Sequence, residues 1–226
     1  MPQIALHNVT KTYKLGSQSI HAVNNATLVI EKGEFISIVG HSGSGKTTLL
    51  SLIGGITNPS SGTILFEDKD IFSLESDLLS EYRCEKVGFM FQFASLLPML
   101  TVRENLLLPT AFSATKGQGG GAGQKAAALL GMVGLADKVE AYPSQLSGGQ
   151  QRRVAIARAF MNYPAVVLAD EPTGDLDEET EMDMMDFFKT MNRTHGVTFI
   201  MVTHNTDLAK QTARQIRMHQ GSIQEK

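Results

Sequence analysis

Two kinds of apolar pattern alternate along this chain. Phe35–Val39, Ala165–Ala169 and Thr198–Val202 are short runs with almost no polar residue. A run of that length without alternation predicts a strand buried on both faces, as in a sheet covered by helices. Ile4, Leu6 and Val9 predict a strand near the N-terminus, and Ala26–Ile30 and Thr63–Phe66 predict two more. Asn58-Pro-Ser-Ser-Gly62 predicts a turn, and Ile216–Ile223, with Gln220-Gly221 inside it, predicts a terminal hairpin.

Other segments carry three-and-four spacing. Leu49, Leu50, Leu52 and Ile53 predict a helix that starts near Lys46. Over residues 178–194, Met182, Met184, Met185, Phe187, Phe188 and Met191 give a helix one apolar face, as expected of a helix packed on a sheet. From about 92 to 161 the texture is helical, with Leu96, Leu97, Val102, Leu106, Leu107, Leu108 and then Ala126–Val133. The glycine-rich stretch Lys116–Gln124 interrupts it and predicts a flexible loop. No strand precedes that stretch and no Lys-Ser/Thr pair ends it, so it is not read as a phosphate-gripping turn. The organisation expected is one domain over 1–226: an α/β core from 1–91 and 162–226, with a helical subdomain inserted at about 92–161.

Composition narrows this picture. The 226 residues are 42% apolar and 19% charged, which suits one large folded domain and not a disordered chain. A formal net charge of −3 speaks against a nucleic-acid partner, which favours a basic face. The single cysteine, Cys84, leaves no internal disulfide and fits a reducing compartment. Met1–His7 lacks the basic and apolar regions of a signal peptide, and no apolar run approaches the roughly 18–20 residues of a membrane span. A soluble chain is expected, with any membrane part supplied by another chain.

Three strings carry chemistry. Gly40-His-Ser-Gly-Ser-Gly-Lys-Thr47 matches the P-loop pattern at every fixed position, between a buried strand and a helix. Its glycines let the backbone wrap phosphate oxygens, and its N–H groups and the helix start face the anion. Lys46 is expected to reach the β- and γ-phosphates, and the Thr47 hydroxyl to ligate Mg²⁺. Val166–Asp170-Glu171 is an apolar strand ending in two carboxylates, which are costly there unless a cation or substrate answers them. Asp170 is expected to hold Mg²⁺ and Glu171 to polarise the attacking water. Leu146-Ser-Gly-Gly-Gln150 is a second small-residue turn opening an amphipathic helix. A second anion-binding turn suggests two copies facing each other, each P-loop closed by the other chain's Ser-Gly-Gly.

The order of these motifs, with His204 downstream, resembles that of the nucleotide-binding domains of ABC transporters over nearly the whole chain. The resemblance implies a P-loop NTPase core of ABC type, with an N-terminal antiparallel β subdomain and the inserted helical subdomain. It implies ATP and Mg²⁺, and ATP hydrolysis coupled to transport through a separate transmembrane permease, at the cytoplasmic face of the inner membrane. It implies a homodimer with head-to-tail ATP sites. Each site would join Gly40, Ser42, Gly43, Ser44, Gly45, Lys46, Thr47 and Thr48 of one copy to Ser147, Gly148, Gly149 and Gln150 of the other. Gln92 matches the glutamine that senses Mg²⁺ and the attacking water, and His204 the histidine on the γ-phosphate. Tyr13 matches the aromatic on adenine, and Thr173–Asp177 the loop at the dimer interface. Phe93–Leu100 matches the cleft that receives a helix of the membrane subunit, with Leu96, Leu97 and Met99 as anchors.

Stretches such as Val87–Phe93, Leu96–Asn105 and Leu168–Gly174 place the resemblance nearest the lipoprotein-releasing and macrolide-exporter group. A cell-division ATPase of the same fold, regulating cell-wall hydrolases, is the alternative. The chain departs from the group at Asp175, Asn205 and Arg152, the last standing where glutamine is common, and in the glycine-rich loop.

Overall fold

A computed structural model of the chain describes residues 2–16, 18–113, 121–174 and 176–224. The chain opens on two long antiparallel strands, β1 (Pro2–Leu15) and β2 (Gln18–Glu31), paired from Pro2↔Glu31 to Leu15↔Gln18. Sequence periodicity located only their inner halves, because only those face the core. The outer halves, including Tyr13, Lys14, Ser19 and Ile20, are exposed and show no apolar alternation. β3 (Phe35–Val39) follows, then the turn Gly40–Gly45 and α1 (Lys46–Ile53). β4 (Ser61–Phe66) folds back to pair with β1, and β5 (Lys69–Asp70) pairs with β4, giving a four-stranded antiparallel sheet of order β2-β1-β4-β5. β4 thus begins inside the predicted turn at 58–62.

Next come α2 (Ser76–Glu81), a wide helical turn of i→i+5 type at Tyr82–Lys86, and β6 (Val87–Met90), none of them evident from periodicity. Residues 91–101 are irregular, so Leu96 and Leu97 lie outside any helix. Asn105, fully buried, holds this segment: its amide donates to the carbonyls of Leu97, Leu100 and Thr101 at 3.0–3.1 Å, and its oxygen accepts from Leu97 N–H at 2.8 Å. The helical texture begins in earnest at α3 (Val102–Leu107), capped by reciprocal bonds between Thr101 and Glu104. α4 (Ala122–Met132) and α5 (Gly148–Ala159) complete it. Ala122–Gln124, expected in the glycine-rich loop, form the first turn of α4; residues 116–120 lie outside the described residues.

β7 (Val166–Asp170), α6 (Glu178–His195), β8 (Thr198–Thr203), α7 (Thr206–Ala209), β9 (Arg214–His219) and β10 (Ser222–Gln224) finish the chain. They build a six-stranded sheet of order β10-β9-β3-β8-β7-β6, parallel except for β10. The continuous apolar runs are explained by this sheet, which is buried on both faces. Ile36, Ile38, Val166, Leu168, Ile200 and Val202 face α1 and the antiparallel sheet. Phe35, Val167, Ala169, Phe199 and Met201 face α6 and the helices α3–α5. Met184, Met185, Phe187, Phe188 and Met191 of α6 are buried in that second core, so the methionine-rich face is packing.

Candidate active site

The parallel strands end at one edge, where ligands of α/β sheets collect. The turn after β3, the carboxylates ending β7, His204 after β8 and Gln92 after β6 all line one cleft there, of about 700 Å³. The Gly40–Gly45 turn is held from two sides. A Cβ on Gly40 would stand 2.3 Å from the Met218 carbonyl oxygen of β9, and one on Gly45 (φ +100°) 1.9 Å from that of Ala22 in β2. Gly221 N–H donates to the Ser44 carbonyl at 3.0 Å and Asn24 N–H to the Gly221 carbonyl at 2.8 Å. No side chain caps α1 behind this turn, so its first N–H groups are available to an anion. Lys46 Nζ donates to the carbonyls of Gly40 (2.8 Å) and His41 (3.0 Å), which keeps the ammonium over the turn.

Thr47 Oγ1 donates to Asp170 Oδ2 at 2.7 Å. Asp170 is 8% exposed. Burial raises its pKa above the ordinary carboxylate value, with Glu171 adding to the rise and Thr47 and Lys46 opposing it. Beside it, Glu171 adopts a left-handed backbone (φ 47°). For a residue with a Cβ this costs on the order of 1–3 kcal/mol, and it persists only where the surroundings fix it. Its N–H donates to the Val202 carbonyl at 2.9 Å, and its own carbonyl accepts from Arg152 Nη1 at 3.0 Å. This backbone aims the carboxylate along the cleft, where Oε1 lies 2.9 Å from His204 Nδ1.

The remaining expected residues separate into two groups. Ser42, Gly43, Thr48 and Gln92 line the cleft, with Ser44 buried behind the turn. Tyr13 and Ser147–Gln150 do not. Tyr13 sits on the outer half of β1, paired with Ile20, and it is Ile20 that reaches the lining. Ser147–Gln150 form the start of α5, where Ser147 Oγ accepts from Gln150 N–H (3.2 Å) and Gln150 Oε1 from Ser147 N–H (2.9 Å). Ile20, His21, Ala22, Arg152 and Gln220 line the cleft although the sequence does not mark them as site residues, and Gly174, from the expected dimer-interface loop, lines it too. The β2 residues and Gln220 give no local signal, because the hairpin and the β9–β10 turn bring them in from distant parts of the chain. Asp175 lies outside the described residues.

For a divalent cation the cleft offers hard oxygen donors, Thr47 Oγ1 and Asp170 Oδ2, the type Mg²⁺ prefers. Among the described residues no group of three or more His, Cys, Asp or Glu could hold a metal alone. That donor set fits Mg²⁺ bound through one or two protein oxygens with phosphates and water completing the shell.

A glycine turn clamped onto a helix start, a Thr–Asp pair and a carboxylate–histidine pair at one sheet edge define a P-loop ATPase of the ATP-binding-cassette class. Comparison with known proteins carries this to the family. The ABC transporter family model matches residues 23–174. An ABC transporter ATP-binding protein of Methanocaldococcus jannaschii, MJ0796, is 43% identical over 98% of this chain and 95% of its own length. The lipoprotein-releasing system ATP-binding protein LolD of Myxococcus xanthus is 39% identical over the full length of both chains. The macrolide export ATP-binding/permease protein MacB of Rhodopirellula baltica is 39% identical over 98% of this chain, which spans about a third of that protein (32%). The MJ0796 cassette, solved as a dimer in a post-hydrolysis state with ADP and Pi, superposes with a TM-score of 0.93 at 41% identity over 98% and 97% of the two chains. The chain belongs to the ABC transporter family.

Proposed function

We propose that the chain is the energy-supplying subunit of a membrane machine of the LolD and MacB kind. In this reading it hydrolyses ATP·Mg²⁺ between two copies of itself and passes the resulting motion to a separate permease. The whole of 1–226 acts as one ATPase domain, with 1–91 and 162–226 as the nucleotide-binding core and about 92–161 as the helical part. The observation that carries the reading is the Glu171–His204 pair, 2.9 Å apart, one residue from the 2.7 Å Thr47–Asp170 bond.

In the reaction, Gly40–Thr48 bind the phosphates through backbone N–H groups, Lys46 and Thr48. Thr47 and Asp170, with Gln92, would hold Mg²⁺, which when bound would neutralise charge on the phosphate oxygens. Glu171 orients the attacking water and accepts its proton; His204 fixes the carboxylate through Nδ1 and presents its other ring nitrogen toward the γ-phosphate. Tyr13 stacks on adenine from the hairpin tip, and Ser147–Gln150 of a second copy close the site. The MJ0796 cassette was captured as a dimer, which supports the two-copy arrangement.

The reading also assigns a place. Among the described residues no helix is long and apolar enough to cross a membrane. Phe93 (76% exposed), Leu97 (42%) and Met99 (77%) offer an apolar surface beside Gln92. Leu96, the third proposed anchor, is partly buried against the core. We place the chain at the cytoplasmic face, held there by a permease helix on this surface. Replacing Glu171 tests the chemistry: Glu171→Gln keeps nucleotide binding and lowers kcat by about 100- to 10,000-fold, the usual range for a general base. A variant that hydrolyses ATP at the parent rate contradicts the assignment.

A further inference from the structure

We propose that Arg152 is a positioning residue for hydrolysis: it ties α5, the helix behind Ser147–Gln150, to the main chain of Glu171 and so sets where the carboxylate points. The proposal rests on the reading of Glu171 as the base. Glu171 has a left-handed backbone that its side chain disfavours, so neighbouring bonds must keep it there. On its N–H side the bond is to Val202 of the rigid sheet, at 2.9 Å. Its carbonyl is held by two donors. The Gly174 N–H bond is long, at 3.3 Å, whereas the Arg152 Nη1 bond is 3.0 Å and charge-assisted. Arg152 is 4% exposed, so water competes little for that carbonyl.

The donor belongs to a different structural layer from the residue it holds. Arg152 stands in the second turn of α5, five residues after Ser147, yet its side chain reaches the nucleotide cleft. The same helix ends with Arg158, which donates to the carbonyls of Ser95 and Ala94, both at 3.0 Å, just beyond Gln92. A shift of α5 against β7 therefore moves the Glu171 peptide even though nothing on α5 touches the reacting atoms through this link. Small displacements of a catalytic group are costly, with about 1 Å worth roughly 100-fold in rate.

The test compares full-length variants. Arg152→Met removes the donor at similar length, and Arg152→Lys keeps a cationic donor. Arg152→Met is expected to lower kcat about 10- to 100-fold, while ADP affinity and the KM for ATP change less than about 3-fold. Arg152→Lys is expected to recover most of the rate. Glu171→Gln is measured alongside. If Glu171→Gln keeps the parent rate, the base assignment itself falls. If Glu171→Gln is inactive but Arg152→Met turns over like the parent, only the present proposal falls. A parallel loss of kcat and ADP affinity in Arg152→Met, or unfolding of both Arg152 variants, marks an ordinary core residue and also overturns it.

Discussion

The glycine-rich starts of α1 and α5 are built in opposite ways. The turn before α1 is enclosed: Gly40 and Gly45 press against the carbonyls of Met218 and Ala22, and no side chain caps the helix. Its open valences are hydrogen-bond donors, waiting for an anion. The turn before α5 is capped by its own Ser147 and Gln150, and a Cβ on Gly148 would meet nothing within 4 Å. What remains open there is space. The first turn is enclosed by residues of its own chain. The second is a surface on which Gly148 faces open space, the form expected of half a site whose other half is a second copy.

The largest effect should separate the two turns most sharply. Gly45→Val must place a Cβ against the Ala22 carbonyl at a backbone angle of +100°. Strain and lost N–H contacts together amount to about 3–4 kcal/mol, so ATP affinity is expected to fall about 100- to 1,000-fold in equilibrium binding. Gly148→Asp should behave differently. The helix start tolerates an acidic residue, so the folded chain and its ADP affinity should be unchanged. Hydrolysis should nevertheless drop about 100-fold, the scale of losing one phosphate-facing donor set. Parent-like turnover in Gly148→Asp would mean that the turn before α5 is not a working surface.

The smallest effect concerns charge. Burial raises the Asp170 pKa above 3.8 in the folded chain. A raised folded value means that the stabilising contribution of this group is present below about 3.8 and lost as pH rises through the folded value. Ionised Asp170 therefore costs stability at neutral pH when no cation answers it. Asp170→Asn should melt higher than the parent without nucleotide at pH 7. The gap should narrow as pH falls through the raised folded value and the parent carboxyl itself becomes protonated. An unchanged or lower melting temperature at pH 7 would show that burial of this carboxylate is already compensated.

The same contrast explains what the sequence could and could not reveal. The enclosed turn was legible because its constraints are local: glycines, Lys46 and Thr47 follow one another between a strand and a helix. The buried parallel strands were legible because burial on both faces leaves an uninterrupted apolar run. The outer hairpin of β1 and β2 was not, since its exposed residues keep no period, and with it went Ile20, His21 and Ala22 of the cleft. The irregular segment 91–101 read as helix because its leucines have helical spacing. The buried amide of Asn105, which organises it, looks like any polar residue in sequence. Arg152 was visible only as a departure, and its bond to Glu171 joins parts of the chain 19 residues apart.

The central claim, that one chain holds half of each ATP site, is tested most directly by the mass of the Glu171→Gln variant in solution. Sedimentation with and without saturating ATP·Mg²⁺ should show a monomer that becomes a dimer when ATP is added. The double variant Glu171→Gln/Gly148→Asp should bind ATP and remain monomeric. A Glu171→Gln variant that binds ATP yet stays strictly monomeric, or a double variant that dimerises as readily as the single one, would contradict the account.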